Sequence, residues 1–315
     1  MLKNRTIAFR LGAPVLLGSA VIFLVIFGTG YLHSRETILR NVEKDARNLG
    51  FRVVYQIESV LAPVEKMAVN LAMQMEEPDI TKERLLKMVR RSLLANPEIF
   101  GSAVAFEPYG FDPSACFFAP YFTRKDNEAK LSYLGGDDYR YFYYDWYQIP
   151  KETGKPSWSE PYFDEGGGNI PMVTFSVPLF HERNRDRRFI GVVTADISLI
   201  WLEKILSAMR IYQTGYGFIL SPNGTFITHP QKPWIMNETI FSIAEAWEDM
   251  ELRRIGKRMI QGESGYVRLS ERTMGKNGFL FFAPIGYSDW SLGIFFPEAE
   301  LMAELHGLNR QLLSL

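Results

Sequence analysis

Residues 139–196 contain the side chains best suited to chemistry. This stretch opens with an aromatic run at 139–147, passes a glycine run at 166–168, and closes with two strand-like segments at 172–180 and 189–197. Carboxylates accept charge-assisted hydrogen bonds from an ammonium group, and aromatic faces attract cations. The combination therefore favours a pocket for a small cationic amine.

The two strand-like segments each alternate between an apolar face and a more polar face, because successive strand residues point to opposite sides. The polar faces carry Thr174 and Asp196, and Asp164 is expected to meet Asp196 across a cleft. The predicted walls are Trp146, Tyr147 and Tyr162. The alternative interpretation is that the aromatic residues form the core and the aspartates cap strands or solvate a loop.

No catalytic motif accompanies this stretch. The sequence has no nucleophile elbow, zinc-binding helix motif or phosphate-binding glycine loop, and Cys116 is its only cysteine. The glycine run favours a flexible loop over an anion-binding nest. We therefore predict no catalytic residue, no metal site and no cofactor. A hydrolase that uses Asp164 and Asp196 as an acid–base pair is the remote alternative, and it lacks a nucleophile.

The elements before this stretch predict a membrane anchor and a long helix. Residues 11–32 carry no charge, and about 20 apolar residues span a bilayer. Residues 1–10 then form a cytoplasmic tail, and residues 34–315 lie in the periplasm, unless the apolar run is a signal peptide. The formal net charge of -1 and the lack of a basic patch argue against nucleic-acid binding.

Helical periodicity dominates residues 34–98. One apolar stripe at spacings of three and four predicts a long helix over 34–75, with a kink or a break at Pro63. Its first half is expected to pair with a second subunit, so we predict a homodimer. A second helix is expected over 83–94, with Thr81 as its N-cap.

Short strand-like segments beyond residue 98 predict two α+β subdomains with antiparallel sheets, at 99–210 and 211–297. The charged run at 182–188 is expected to be a hairpin loop. In the second subdomain, residues 240–252 have the pattern of one helix. Residues 298–315 return to helical spacing and are expected to run back toward the membrane.

This organisation resembles the double-Cache extracytoplasmic sensor domain of bacterial chemoreceptors, sensor kinases and phosphatases. The most specific residues are Asp145-Trp146-Tyr147, Trp158-Ser159-Glu160-Pro161-Tyr162, Pro178 and Asp196. The resemblance implies a fold of two tandem PAS-like subdomains behind a membrane helix and a stalk helix. It implies a sensor in the inner membrane whose membrane-distal subdomain binds a small molecule, while the proximal subdomain relays the signal to an output module outside this sequence.

The amino-acid-binding branch of that family suggests individual ligand contacts. By position they are Tyr139, Trp146, Tyr147, Tyr162, Asp164 and Asp196. The branch also uses an arginine for the ligand's carboxylate, and Tyr144 occupies its place here. We therefore predict an amine ligand, unless Arg140 or Lys155 restores the missing charge. An amino-acid or organic-acid sensor of the same fold is the alternative.

Overall fold

The structure is a computed structural model that describes residues 7–77, 80–126, 128–183, 186–208, 211–270, 277–300 and 303. These residues fall in two compact units. The first contains the start of helix α1 up to Asn48, and the second, Leu49–Glu300, contains the remaining elements. Residues 1–6 of the predicted tail, and all of the predicted C-terminal helix beyond residue 300 except residue 303, lie outside the described set.

Helix α1 (Ile7–Met75) is one continuous element of 69 residues. The predicted break at Pro63 is wrong, because the proline ring is exposed while Leu61 and Val64 beside it are buried. The burial of those neighbours stabilises helical structure on both sides of the proline, and the alternative of a kink at Pro63 stays a prediction. Across the described residues, no helix combines the length and apolar character that a membrane span requires. The span at 11–32 therefore stays a prediction.

Helix α2 (Lys82–Ala95) begins as expected. The Thr81 hydroxyl accepts a hydrogen bond from the Arg84 amide, which confirms the predicted N-cap. Leu85, Val89 and Leu93 are completely buried along one face of the helix.

Residues 101–198 form a seven-stranded antiparallel sheet. Its strands are β1 (Gly101–Phe106), β2 (Ala119–Lys125), β3 (Glu128–Leu134), β4 (Ser157–Trp158), β5 (Tyr162–Phe163), β6 (Pro171–Arg183) and β7 (Asp186–Ser198). They lie in the order β3-β2-β1-β7-β6-β4, and β5 also pairs with β6. Helix α3 (Asp145–Thr153) precedes β4, and helix α4 (Leu199–Ala208) follows β7. We call this part the distal subdomain.

Strands β6 and β7 are the centre of the distal sheet. Thr174 lies opposite Asp196, and Ser176 lies opposite Thr194, so four polar side chains share one face. All four are buried. The hairpin is longer than expected, since β6 extends to Arg183 and β7 begins at Asp186. The charged run at 182–188 is therefore mostly paired strand.

Residues 216–297 form a second antiparallel sheet, the proximal subdomain. Its strands are β8 (Tyr216–Leu220), β9 (Phe226–Thr228), β10 (Gly265–Leu269), β11 (Gly278–Ile285) and β12 (Trp290–Pro297), in the order β10-β11-β12-β8-β9. Two helices, α5 (Ile240–Ala246) and α6 (Met250–Ile260), replace the single helix expected over 240–252. Glu248 takes a positive φ of 52°, and the Asp249 carboxylate caps α6, so the chain must restart there.

Candidate functional site

Five of the predicted site residues converge on a small cavity over the polar face of the distal sheet: Tyr139, Trp146, Tyr162, Asp164 and Asp196. The cavity is lined by Ala103, Tyr121, Leu134, Tyr139, Trp146, Tyr162, Asp164, Thr194 and Asp196. Its volume is about 10 Å³, which is room for one water molecule at most. A larger guest therefore requires the walls to move apart.

Asp164 is held by its own loop and by one wall of the cavity. The Tyr139 hydroxyl donates to its Oδ1 at 2.6 Å, and the Gly168 amide donates to its Oδ2 at 2.6 Å. A Cβ at Gly167 would lie 2.2 Å from Oδ2, so the glycine run permits this close approach. The glycine run therefore packs against the Asp164 carboxylate, and its flexibility stays a prediction. Burial raises the pKa of Asp164, while these two hydrogen bonds partly oppose the shift.

Asp196 lies on β7 at the back of the same cavity. The Thr174 hydroxyl donates to its Oδ1 at 2.9 Å, and the Tyr162 hydroxyl lies 2.8 Å from the Thr174 hydroxyl. Burial, with the nearby Asp164 carboxylate as a second cause, raises the pKa of Asp196 to about 7. Among the described lining residues no side chain is basic. The cavity thus brings two carboxylates together without a cation to balance them.

Trp146 reaches the cavity from helix α3, which the sequence reasoning missed. The indole is 4 % exposed, and its Nε1–H has no hydrogen-bond partner among the described residues. An indole N–H can only donate, and leaving such a group buried without an acceptor costs about 1–3 kcal/mol. This donor is suited to an acceptor atom on a guest molecule.

Tyr121 is a lining residue that the sequence reasoning missed, whereas Trp146 was predicted. It comes from β2, where Ala103 of β1 lies opposite it. Burial, together with the carboxylates of Asp196 and Asp164, raises the pKa of its phenol well above the usual value. The alternation of β2 could have placed Tyr121 on one face, but only the pairing with β1 shows that this face is the polar one.

Three predicted residues, Tyr144, Tyr147 and Thr174, lie beside the cavity instead of lining it. The Tyr147 hydroxyl donates to Glu107 Oε1 at 2.7 Å, and Lys151 Nζ donates to the same oxygen at 2.8 Å. The ring of Tyr144 stacks on the ring of Tyr139 with centroids 4.8 Å apart. Thr174 acts through hydrogen bonds to Asp196 and Tyr162 rather than as a wall.

Arg140 and Lys155, the two basic residues that could have restored the missing charge, lie outside the cavity. Arg140 lines a surface depression with Asp137, Asp138, Tyr143 and Tyr144, and its guanidinium lies 3.9 Å from the Asp137 carboxylate. Lys155 is exposed after the end of α3. Neither side chain replaces the arginine that the amino-acid-binding branch would place at Tyr144.

Comparison with known proteins matches the distal subdomain to a sensor family. Residues 85–204 match the family model described as the first PDC sensor domain of methyl-accepting chemotaxis protein-like proteins. The methyl-accepting chemotaxis protein TlpQ of Pseudomonas aeruginosa is 26% identical over 261 residues, which cover 73% of this chain and 35% of TlpQ. The chain thus spans about a third of the length of that relative.

Solved structures share the architecture over most of the chain. The extracellular domain of the putative histidine kinase mmHK1S-Z3 superposes with a TM-score of 0.73 at 25% identity, covering 85% of this chain and 98% of that domain. The ligand-binding domain of the P. aeruginosa amino acid chemoreceptor PctB, in complex with L-Gln, gives a TM-score of 0.59 at 20% identity, covering 85% and 97%. Both structures are extracellular or ligand-binding domains and not catalytic domains. Residues 85–204 are therefore similar to the first PDC sensor domain of chemoreceptor-like proteins, and the chain shares the double-Cache type of fold with these extracellular sensor domains.

Proposed function

We propose that this chain is a sensor domain that binds a small ammonium-bearing ligand in the cavity of the distal subdomain. The observation that carries the proposal is the pair of buried carboxylates, Asp164 and Asp196, with no basic side chain among the described lining residues. A cationic nitrogen supplies the missing charge. An anionic ligand would add a third negative charge to a buried site, which is strongly unfavourable.

Aromatic rings add to the attraction for a cation. Tyr139, Trp146 and Tyr162 line the cavity together with the two carboxylates. A desolvated cation over an aromatic face gains roughly 0.5–2 kcal/mol. The unpaired Nε1–H of Trp146 favours a ligand that also carries one hydrogen-bond acceptor, such as an amide, a hydroxyl or a carboxylate oxygen.

An α-amino acid is the second candidate, since PctB, which shares the fold, is a receptor for amino acids. An α-amino acid also has an acceptor for Trp146. The lack of a basic lining residue favours the decarboxylated amine over the amino acid, because the carboxylate would be buried near Asp164 and Asp196 without a counter-charge. The same reasoning disfavours an organic acid.

The wider context of the site follows from the resemblance to membrane sensors. We propose that residues 11–32 anchor the chain in the inner membrane, that the sensor domain lies in the periplasm, and that two copies pair through α1. A reporter that is active only outside the cytoplasm, fused after Leu315, should be active. Activity of a cytoplasmic reporter at that position would contradict this topology.

Matched ligand pairs test the choice between amine and amino acid. The full chain in detergent micelles is titrated calorimetrically with L-glutamine and with 4-aminobutanamide, which is glutamine without its α-carboxylate. A thermal-shift panel of such pairs, including L-leucine with isopentylamine, precedes the titration. The amine should bind at least tenfold more tightly, a difference of about 1.4 kcal/mol. Equal or tighter binding of the amino acid would favour the second candidate.

A further inference from the structure

Residues 157–163, which we call the strap, are fastened to the strand behind the cavity. At one end Trp158 pairs with Phe175, and at the other Tyr162 pairs with Met172. Between these points the Ser159 amide donates to the Thr174 carbonyl at 2.9 Å, and the Thr174 amide donates to Ser159 Oγ at 3.0 Å. The strap and the Asp196–Thr174–Tyr162 chain of hydrogen bonds therefore form one network.

The strap also contacts the proximal subdomain through Glu160. Its Oε2 accepts from the Ser221 hydroxyl at 2.6 Å, and its Oε1 accepts from the Asn223 amide nitrogen at 2.9 Å. Both donors lie in the turn between β8 and β9. Two hydrogen bonds from one carboxyl group to one turn thus connect the two sheets directly.

Trp158 makes a second connection, to the long helix. Its Nε1–H donates to Glu65 Oε1 of α1 at 2.8 Å, and its ring lies 4.9 Å from the ring of Trp290 on β12. Three elements outside the distal sheet thus contact residues that lie two and four positions before Tyr162, a wall of the cavity.

We infer that the strap transmits the state of the distal cavity to the β8–β9 turn and to helix α1. The inference rests on the proposed function for the identity of the signal, since a guest larger than a water molecule has to displace the walls, and Tyr162 is the wall that the strap carries. Displacement of Tyr162 shifts the neighbouring residues of the strap, which include Glu160 and Trp158. Energetic coupling of this kind is reciprocal, so a change in the contacts of Glu160 also changes the cavity.

Hydrogen exchange of the full chain in detergent micelles tests the coupling without any ligand. Asp196→Asn perturbs the cavity while keeping its shape. The amides of 216–228 are followed by mass spectrometry in the parent, in D196N, in Glu160→Ala and in the double variant. We expect D196N to change the exchange rate of the turn at least threefold in the parent background, and less than 1.5-fold when Glu160 is alanine. Glu165→Ala, an exposed glutamate in the turn that follows β5, is the control and should behave like the parent.

A second route breaks the same connection from the other side. Ser221→Ala combined with Asn223→Ala removes both donors and leaves the strap intact, so it should reproduce the effect of Glu160→Ala. An equal response of the turn to D196N in all backgrounds would overturn the inference, as would no response in any background. The outcome is independent of ligand identity. If neither 4-aminobutanamide nor L-glutamine binds while the coupling is present, the proposed ligand is wrong, but the inference about the strap stands.

Discussion

The two antiparallel sheets carry contrasting faces. The distal sheet presents Thr174, Ser176, Thr194 and Asp196 toward its aromatic cover, and a cavity remains. The proximal sheet presents large apolar side chains that belong to one hydrophobic core with residues of helices α5 and α6: Phe218, Leu220, Leu280 and Phe282. The comparison teaches that one sheet architecture serves for recognition or for rigidity, according to whether the covered face is polar and small or apolar and large.

Truncating the proximal core should have the largest effect on stability. Leu280 is completely buried in that core, so Leu280→Ala is expected to lower the free energy of unfolding by about 2–5 kcal/mol. Urea denaturation monitored by circular dichroism measures the loss, with Leu131→Ala, at 38 % exposure, as the control. A loss below 1 kcal/mol, of the order found at exposed sites, would mean that Leu280 is not packed in the proximal core as described.

A substitution on the polar face of the distal sheet should instead raise the free energy of unfolding. Burial raises the folded-state pKa of Asp196 to about 7, above its ordinary value. Its ionisation therefore destabilises the folded protein progressively as pH rises from about 4 to about 7, and the penalty is full above that range. Asp196→Asn removes the charge, so at pH 8 we expect a gain on the order of 2–4 kcal/mol that shrinks toward pH 4.

The same substitution should weaken binding of 4-aminobutanamide at least thirtyfold, roughly 2 kcal/mol, because one of the two carboxylates loses its charge. Asp138→Asn, at an exposed position outside the cavity, is the matched control for both measurements. A D196N protein that is less stable than the parent at pH 8, yet binds the amine normally, would contradict the description of the polar face.

Amine affinity should itself depend on pH. Binding of an ammonium group favours ionised Asp196, whose pKa is about 7 in the folded chain. We therefore expect affinity to fall by up to about tenfold, 1.4 kcal/mol, for each pH unit below 7, and to be level between pH 7.5 and 8.5. Calorimetry in buffers of different ionisation enthalpy should register proton release near pH 6.5. An affinity that is constant from pH 5.5 to 8 would disprove the role of Asp196.

The smallest effect is expected at the edge of the aromatic cover. Tyr144 stacks on the wall residue Tyr139, so Tyr144→Arg brings a guanidinium next to the cavity without entering it in the present geometry. We expect the affinity ratio of L-glutamine to 4-aminobutanamide to rise three- to tenfold, about 0.7–1.4 kcal/mol. Tyr143→Arg, at the exposed neighbouring position, should leave the ratio unchanged.

Strand alternation in the sequence predicts the distal face well, since Thr174, Asp196 and their neighbours are read from period two alone. Helix α3 was missed because Pro150 lies inside it and Tyr144 gives it no side-chain cap. The helix signals that are present, Asp145 in the first turn and Gly154 at the C-terminal end, were not used because the aromatic run drew the interpretation toward a pocket wall. The break before α6 was missed because the apolar spacing continues through Trp247 and hides the positive φ of Glu248.

The sequence predicts the parts of the site that depend on the pattern of a single strand. It does not predict the parts that depend on how two strands pair. Asp164 and Asp196 meet as expected. Tyr121 lines the cavity because of the register in which β2 pairs with β1. The residue pattern of β2 alone does not reveal that register. Tyr147 lies close to the site in sequence, but its helical direction takes it to Glu107. Side-chain direction in a helix turns by about 100° per residue, so Trp146 and Tyr147 cannot serve the same wall.

The small volume of the cavity, about 10 Å³, also limits how quickly the sensor can respond. A ligand that fits only after Tyr139, Trp146 and Tyr162 separate cannot be captured faster than those walls open, however high its concentration. Rearrangements of this type take roughly microseconds to milliseconds. Under the proposed function, occupancy therefore follows sustained changes in concentration and averages out encounters that are briefer than one opening, so the aromatic cover acts as a temporal filter as well as a binding surface.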